Sequence, residues 1–165
     1  PVSVNLSWMD FYDENMLEWI VRGLKKNNPN EQKIRFEITE TSLAAIGENH
    51  TRMLMHLKEN GAEILLDDFG SGYSSFGMLQ DYDFDILKID ISFVRNIGVN
   101  KKSESILRAI IDMAHQLGIR LVAEGAETEE QVAFLRANGC EYIQGYYYYK
   151  PMPEAEFLQL LEEGK

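Results

Sequence analysis

Cysteine is nearly absent from this sequence, since Cys140 is the only one in 165 residues. A single thiol cannot form an intramolecular disulfide, which excludes a small disulfide-stabilised secreted domain and favours a reducing compartment. We expect Cys140 to be a small buried apolar group and not a reactive thiol.

Long apolar runs and an excess of basic residues are also missing. No stretch approaches the roughly 20 apolar residues that cross a bilayer, and no signal-peptide pattern opens the chain. The 27 acidic residues outnumber the 16 basic ones, giving a net charge of −11. This charge argues against DNA, RNA or a membrane surface as the main partner. An anionic ligand would therefore need metal ions to mediate its binding.

The location predicted from these absences is cytoplasmic. The chain starts at Pro1 and enters a predicted strand almost at once. We therefore interpret it as a segment of something longer: a cytoplasmic protein, or the cytoplasmic part of a larger, membrane-anchored one.

Several common catalytic patterns are incomplete or absent. The glycine-rich segment 70–75 lacks the third glycine and the Gly-Lys pair of a phosphate-binding loop. No serine nucleophile elbow is present. The histidines fall within helical patterns and away from the predicted strand ends, at His50, His56 and His115. The chemistry is therefore expected to rest on carboxylates.

Apolar, β-rich runs alternate with helical patterns along the whole chain. The predicted strands are Val2 to Leu6, Ile34 to Ile38, Ala62 to Leu66, Ile86 to Ile89, Arg120 to Ala123 and Tyr142 to Ile143. The first helix has apolar residues at i, i+3 and i+4 spacing, namely Met9, Met16, Leu17, Ile20, Val21 and Leu24. The pattern is a βα unit repeated six times.

Glycines and one threonine mark the predicted helix ends. Gly61, Gly118 and Gly139 stand where a left-handed C-cap belongs, and a strand follows each of them. Thr128 and Gln131 have the spacing of a capping box at the start of a helix.

A polar residue stands at or near the carboxyl end of each predicted strand. These residues are Asn5, Glu37, Asp67, Lys88, Glu124 and Gln144. A doubly wound sheet collects its site from two or three strands, whereas a barrel collects residues from nearly all of them. We therefore predict an α/β protein with a TIM-like (β/α)8 barrel. About six βα units are present, and two are missing, most naturally before Pro1.

Asp67 and Asp68 directly follow a buried strand and precede a glycine turn. Two like charges at that place are costly unless a cation or a reaction uses them, although a solvated acidic turn is the simpler alternative. Adjacent strand residues face opposite ways, so we expect the glycine turn to break the strand and let both carboxylates converge. Together with Asn5 and Glu37 they form a hard oxygen set suited to Mg²⁺, Mn²⁺ or Ca²⁺. Two such ions bridged by a carboxylate can hydrolyse a phosphodiester.

Three further positions complete the predicted site. Lys88 and Asp90 are two residues apart, so they are expected to share a strand face, as part of the site or as a structural ion pair. Glu124 is a candidate general base or additional metal ligand. Of the tyrosines at 146–149, only Tyr146 is expected to face the barrel mouth.

Seven segments together resemble the EAL domain of bacterial cyclic-di-GMP phosphodiesterases, in the family's order and over essentially the whole chain. They are Val4-Asn5-Leu6-Ser7, Phe36-Glu37-Ile38-Thr39-Glu40, the run 67–75, Leu87-Lys88-Ile89-Asp90, the run 122–128, Gln144-Gly145-Tyr146 and Lys150-Pro151-Met152-Pro153. The resemblance implies a TIM-like barrel that opens cyclic di-GMP to linear pGpG with two Mg²⁺ or Mn²⁺ ions. It also implies inhibition by Ca²⁺.

The resemblance also implies roles for individual residues. Asn5, Glu37, Asp67 and Asp68 resemble metal ligands, and Lys88 the residue that contacts the catalytic water. The predicted catalytic residues are Glu124, as base or ligand, with Lys88 and Asp68. Supporting or substrate-binding roles fall to Gln144, Asp90, Glu40, Glu127 and Tyr146. Glu40 resembles the glutamate that steadies the loop after Asp68, which in this family links catalysis to dimerisation.

The sequence departs from the family at its front. The strand with the Glu-Ala-Leu motif, whose glutamate is a metal ligand, is absent, and Ser71 and Ala126 replace the commoner threonine and valine. We therefore expect weakened metal binding by this segment alone. A homodimer is expected, through the loop after Asp68 or the open barrel side. The alternative function is a non-catalytic module that binds cyclic di-GMP or a partner protein.

Overall fold

The computed structural model of the chain describes residues 2–26, 34–45, 48–71 and 75–163. All six predicted strands are present and pair in parallel in chain order, as one curved sheet of a TIM-like barrel. They are β1 (Val2–Asn5), β2 (Ile34–Thr39), β3 (Glu63–Phe69), β4 (Ile86–Ile89), β5 (Arg120–Glu124) and β6 (Tyr142–Gln144).

Helices follow every strand, as the sequence predicts. They are α1 (Glu14–Lys26), α2 (Glu40–Ala45), α3 (Glu48–Glu59), α4 (Ser75–Asp81), α5 (Ile91–Arg95), α6 (Lys101–Leu117), α7 (Glu129–Ala137) and α8 (Glu154–Glu162). A short 3₁₀ turn, Asp10–Tyr12, precedes α1. Parallel strands need such helical crossovers, which cover the outer face of the sheet.

The first predicted helix is correct except at its start. Met16, Ile20 and Leu24 pack against the core, and Val21 is buried within it. Met9, however, lies before the 3₁₀ turn and is 60% exposed, so its place on the apolar face was a wrong prediction. The side chain of Leu17 lies outside the described residues.

The predicted helix ends are confirmed. Gly118 ends α6 with φ of 71°, a left-handed conformation that glycine adopts without steric cost. At the start of α7, the Thr128 side chain accepts a hydrogen bond from the Gln131 backbone in a complete capping box. Gly118 ends α6 just before β5, and Thr128 starts α7 shortly after β5, so both connections are short.

The main core lies between the sheet and the helices. Alternate strand residues such as Ile38, Leu66 and Leu121 point outward into it and are fully buried. Cys140 is also part of this core, and burial raises the pKa of its thiol to about 11. The expectation that this cysteine is a buried apolar group is thereby confirmed.

The inner face of the sheet carries three layers of side chains. At the amino ends of the strands, Glu63 binds Arg35 at 2.7 Å and Arg120 at 2.6 Å. A separate apolar cluster lies above them, made of Leu65, Ile86 and Val122. The polar residues at the carboxyl ends form the third layer. This order follows from the two-residue period of a strand, which puts residues 63, 65 and 67 on one face.

Candidate metal and catalytic site

The strand break that brings Asp67 and Asp68 together is a bulge within β3. The strand continues to Phe69, and its register against β4 shifts between Leu66 and Phe69. Asp68 has φ of 56°, a left-handed conformation that costs roughly 1 kcal/mol for a residue with a side chain. The prediction that the glycine turn makes the break was therefore wrong in position, because Asp68 itself adopts the unusual conformation.

Asp67, Asp68 and Glu124 converge above the inner sheet face. Each offers a carboxylate oxygen, and the three oxygens lie within 4.8 Å of one another. Asp67 is buried, whereas Asp68 and Glu124 are partly exposed, so the cluster is reachable from solvent. Clusters of hard oxygen ligands at this spacing suit a divalent cation such as Mg²⁺, Mn²⁺ or Ca²⁺.

Lys88 links this cluster to β2. Its ammonium lies 2.8 Å from Glu37, 3.3 Å from Asp67 and 2.7 Å from Glu124. Four carboxylates (Glu37, Asp67, Asp68 and Glu124) against one ammonium leave a formal charge of −3. One lysine therefore neutralises only part of the charge, and the cluster retains a strong preference for added cations.

The pKa values in the cluster shift in the directions that this charge requires. Burial acts to lower the pKa of Lys88, but its hydrogen bonds to Glu124 and Glu37 and the charge of Asp67 outweigh burial and raise it. Burial raises the pKa of Glu124, against the lowering effect of Lys88 and with help from Asp67 and Glu37. Burial, followed by the charges of Asp67 and Asp90, raises the pKa of Asp68. The carboxylates of Asp68 and Glu124 are thus more basic than in water.

Asp90 lies one residue beyond the end of β4, and its place on the same face as Lys88 stays a prediction. Its carboxylate accepts a hydrogen bond from the Ser92 backbone at 2.9 Å and caps the start of α5. Asp90 acts on the site through its charge, which raises the pKa of Asp68.

Asn5 and Gln144 lie on the two outermost strands of the described sheet. Asn5 is in register with Glu37 on β2, and Gln144 is in register with Glu124 on β5. Both are exposed. Their register places them at the carboxyl edge of the sheet beside the two predicted glutamate ligands.

A cavity of about 230 Å³ opens beside Glu124. Gln144, Glu127 and Tyr146 line it together with Glu124, so Tyr146 and the Glu124 side chain face the same space. Arg95 lines it too, although it was not among the predicted site residues. The four-residue spacing between Ile91 and Arg95 could have indicated this position, because it puts both residues on the same helix face.

Glu40 holds the beginning of the loop after Asp68. It is buried, and its carboxylate accepts a hydrogen bond from the Gly70 backbone at 3.0 Å. A side chain at Gly70 would collide with the ring of Phe93, and its φ of 92° also requires glycine. The predicted role of this loop in dimerisation falls partly on residues 72–74, which lie outside the described residues.

The histidines stand apart from the carboxylate cluster. His56 lies on α3 beside Glu59, and His115 lies at the end of α6 beside Glu141. The side chain of His50 lies outside the described residues.

Three residues of the inner sheet face were also not predicted from the sequence, namely Arg35, Glu63 and Arg120. Each precedes Glu37, Asp67 or Glu124 on the same strand by an even number of residues, and this alternation could have indicated them.

The family model described as EAL domain matches residues 1–151. This chain belongs to the EAL domain family. It is 37% identical over 163 residues to signaling protein YkoW of Bacillus subtilis, covering 98% of the chain and 20% of the relative. It is also 37% identical over 161 residues to cyclic di-GMP phosphodiesterase PdeB of Shewanella oneidensis, covering 98% and 19%. This chain therefore spans about a fifth of the length of these relatives.

Solved structures of EAL domains share the fold. The EAL domain of Mycobacterium smegmatis DcpA superposes with a TM-score of 0.88 at 32% identity, covering 99% of this chain and 73% of that one. Klebsiella pneumoniae BlrP1, solved with cyclic di-GMP and either manganese or calcium, superposes with a TM-score of 0.79 at 28% identity, covering 87% and 37%. The six-stranded sheet and its helices are thus part of an EAL-type TIM-like barrel.

Membrane-spanning helices are not found in the described part of this EAL sequence, where no helix is both long and apolar enough.

Proposed function

We propose that this EAL domain is part of a phosphodiesterase that hydrolyses cyclic di-GMP to linear pGpG. The observation that carries the proposal is the convergence of Asp67, Asp68 and Glu124 within 4.8 Å, with Lys88 2.7 Å from Glu124. Relatives named as cyclic di-GMP phosphodiesterases support the substrate, including PdeB.

Asp67, Asp68 and Glu124 are the residues best placed to hold divalent ions, and Glu37 and Asn5 would complete the ligand set. The donors are all oxygens. The formal charge of −3, from four carboxylates and one ammonium, favours the binding of two divalent ions. Mg²⁺ or Mn²⁺ would, when bound, polarise the scissile phosphate and acidify the attacking water.

The protein's own groups would place the water and receive its proton. In the reaction, a water oxygen bonds to phosphorus and the bond from phosphorus to the 3′ oxygen breaks. The 3′ oxygen takes up a proton from solvent, and a 5′-phosphate is left on the linear product. Glu124 either accepts the water's proton, to which its raised pKa is suited, or ligates an ion. Lys88 fixes the Glu124 carboxylate and can donate a hydrogen bond to the water.

The remaining predicted residues would act around this centre. Gln144, Glu127 and Tyr146 line the cavity beside Glu124 and would contact substrate. Glu40 holds Gly70 and so positions the loop that follows Asp68. Asp90 fixes the start of α5.

Incubation of the full-length protein with cyclic di-GMP and Mn²⁺ or Mg²⁺ tests the proposal, with pGpG followed by chromatography. We expect metal-dependent formation of pGpG that chelation abolishes. Tight binding of cyclic di-GMP without pGpG, under the same conditions, would identify a non-catalytic binding module instead.

We also propose that residues 1–165 form the C-terminal portion of an EAL barrel whose open side is normally covered. All four residues of β1 are exposed, including Val2 at 66% and Val4 at 44%. Trp19, Ile34 and Phe36 line an apolar cavity of about 380 Å³ beside this edge strand. An uncovered edge strand and apolar groove of this kind bind another chain segment or a second copy of the chain.

A further inference from the structure

We propose that Arg95 binds the phosphate of cyclic di-GMP that is not cleaved, and so determines affinity and specificity for a dinucleotide with two phosphates. The proposal rests on the proposed function, because the cavity that Arg95 lines is the one beside Glu124.

The backbone around Arg95 is held firmly for such a role. Helix α5 is capped by Asp90, and Val94, next to Arg95, is fully buried. The Asn96 side chain donates a hydrogen bond to the Ser92 carbonyl at 2.6 Å, which closes the other end of the helix. A long side chain on such an anchored backbone can reach a fixed place at a moderate entropic cost.

The direction of Arg95 follows from its spacing to Ile91. The two residues are four apart, so they lie on one helix face, and both line the cavity. Gly125, at the end of β5, has φ of 74°, and any side chain there would collide with Ile91. This close approach brings α5, and Arg95 with it, against the loop that follows Glu124.

The guanidinium of Arg95 is the group of this cavity that can bind an anion. Glu124 and Glu127 also line it, and among the described residues that line it Arg95 is the only cation. In the described part of the chain, its guanidinium makes no ion pair or side-chain hydrogen bond, whereas Arg35 and Arg120 are both bound to Glu63.

Cyclic di-GMP carries two phosphates, and the acidic cluster with its ions can hold only the one that is cleaved. The second phosphate needs a cation outside that cluster, because Glu124 and Glu127 would repel it. Arginine suits this role because its planar guanidinium donates two parallel hydrogen bonds to one phosphate.

The test measures binding and turnover separately in the full-length protein. Calorimetry in Ca²⁺, which is expected to support binding without hydrolysis, gives the Kd for cyclic di-GMP and for the linear dinucleotide GpG, which has one phosphate. For Arg95→Gln we expect the Kd of cyclic di-GMP to rise about 10- to 100-fold, the loss typical of a charged hydrogen bond. The Kd of GpG should change by less than about threefold if its single phosphate binds at the ions.

Turnover in Mn²⁺ provides a second readout. We expect Arg95→Gln to raise KM by a similar factor and to leave kcat within about threefold, while Arg95→Lys recovers part of the affinity. Arg22→Gln is the matched control, since Arg22 lies on α1 in an exposed pair with Glu18. Thermal unfolding of each variant checks that the fold is unchanged.

Four results would overturn the proposal. An unchanged Kd for cyclic di-GMP in Arg95→Gln, or equal losses for cyclic di-GMP and GpG, would remove the contact to the second phosphate. A fall in kcat at constant Kd would make Arg95 a positioning residue for Glu124 or Glu127. A wild-type protein that binds cyclic di-GMP without hydrolysing it contradicts the proposed activity alone, whereas one that binds none contradicts both proposals.

Discussion

The ammonium of Lys88 lies 2.7 Å from the carboxylate of Glu124, and this contact joins β4 to β5 at the carboxyl edge of the sheet. Lys88 is only 7% exposed and also contacts Glu37 and Asp67. A buried ammonium that serves three carboxylates fixes their geometry and limits their mutual repulsion. We therefore expect the same residue to contribute to both stability and catalysis.

Replacement of Lys88 by methionine should destabilise the domain, because it leaves buried carboxylates without their cation. Removal of one partner of a buried pair costs about 3–5 kcal/mol. Chemical denaturation with and without Mg²⁺ measures the change, and we expect added Mg²⁺ to restore part of the lost stability. A Lys88→Met domain as stable as wild type in metal-free buffer would contradict this.

Asp67→Asn and Asp68→Asn should each abolish hydrolysis while the fold remains intact, since each removes anionic charge from a cluster that requires cations. Asparagine is suited to position 68 because it tolerates the left-handed φ of 56° found there. Activity assays and thermal unfolding separate the two effects. Turnover near the wild-type rate at saturating metal, in either variant, would show that the two-ion assignment is wrong.

Glu124→Gln should lower kcat about 10²-fold or more, the typical loss for a general base, with a much smaller effect on affinity. Steady-state kinetics and binding in Ca²⁺ measure the two quantities. Glu129→Gln, an exposed change in the first turn of α7, is the matched control. Loss of binding with unchanged kcat would make Glu124 a substrate contact.

The ion pairs of Glu63 with Arg35 and Arg120 should make the stability of the domain sensitive to acid. Although burial acts to raise the pKa of Glu63, its hydrogen bonds to Arg120 and Arg35 outweigh burial and lower it below the ordinary 4.5. The stabilisation is therefore complete above pH 4.5 and is lost as the pH falls through the lowered pKa.

Urea denaturation of wild type and Glu63→Gln from pH 7 to pH 3 tests this expectation. The variant should be less stable at pH 7, and its stability should fall less steeply below pH 4.5. Glu18→Gln, in an exposed pair with Arg22, serves as control. Parallel curves for wild type and Glu63→Gln would show that Glu63 does not contribute to the acid sensitivity.

The isolated 1–165 segment should self-associate through β1, whose backbone groups and apolar side chains are uncovered. Val4→Lys should weaken association by placing a charge on the edge strand. Val99→Lys, at a residue that is 80% exposed in the connection between α5 and α6, is the control. Light scattering after size-exclusion chromatography measures the mass. A wild-type segment that remains monomeric at high concentration would show that β1 does not mediate self-association.

Local patterns were sufficient to predict the fold of this EAL domain. The apolar, β-rich runs of the strands, the glycine caps at 61, 118 and 139, and the capping box at Thr128 are short-range features, and the structure confirms each of them. The polar residues at the strand ends were also found from sequence, because parallel strands bring their carboxyl ends to one edge of a sheet.

The tertiary structure alone decided how those residues meet. Asp68, and not the glycines after it, breaks β3, because the register shift depends on pairing with β4. Lys88 binds Glu37, Asp67 and Glu124 in place of Asp90, since those carboxylates come from three other strands. Arg95 reaches the cavity because α5 packs against Gly125. These contacts join residues distant in the chain, and their formation depends on strand register and helix packing that no local sequence pattern encodes.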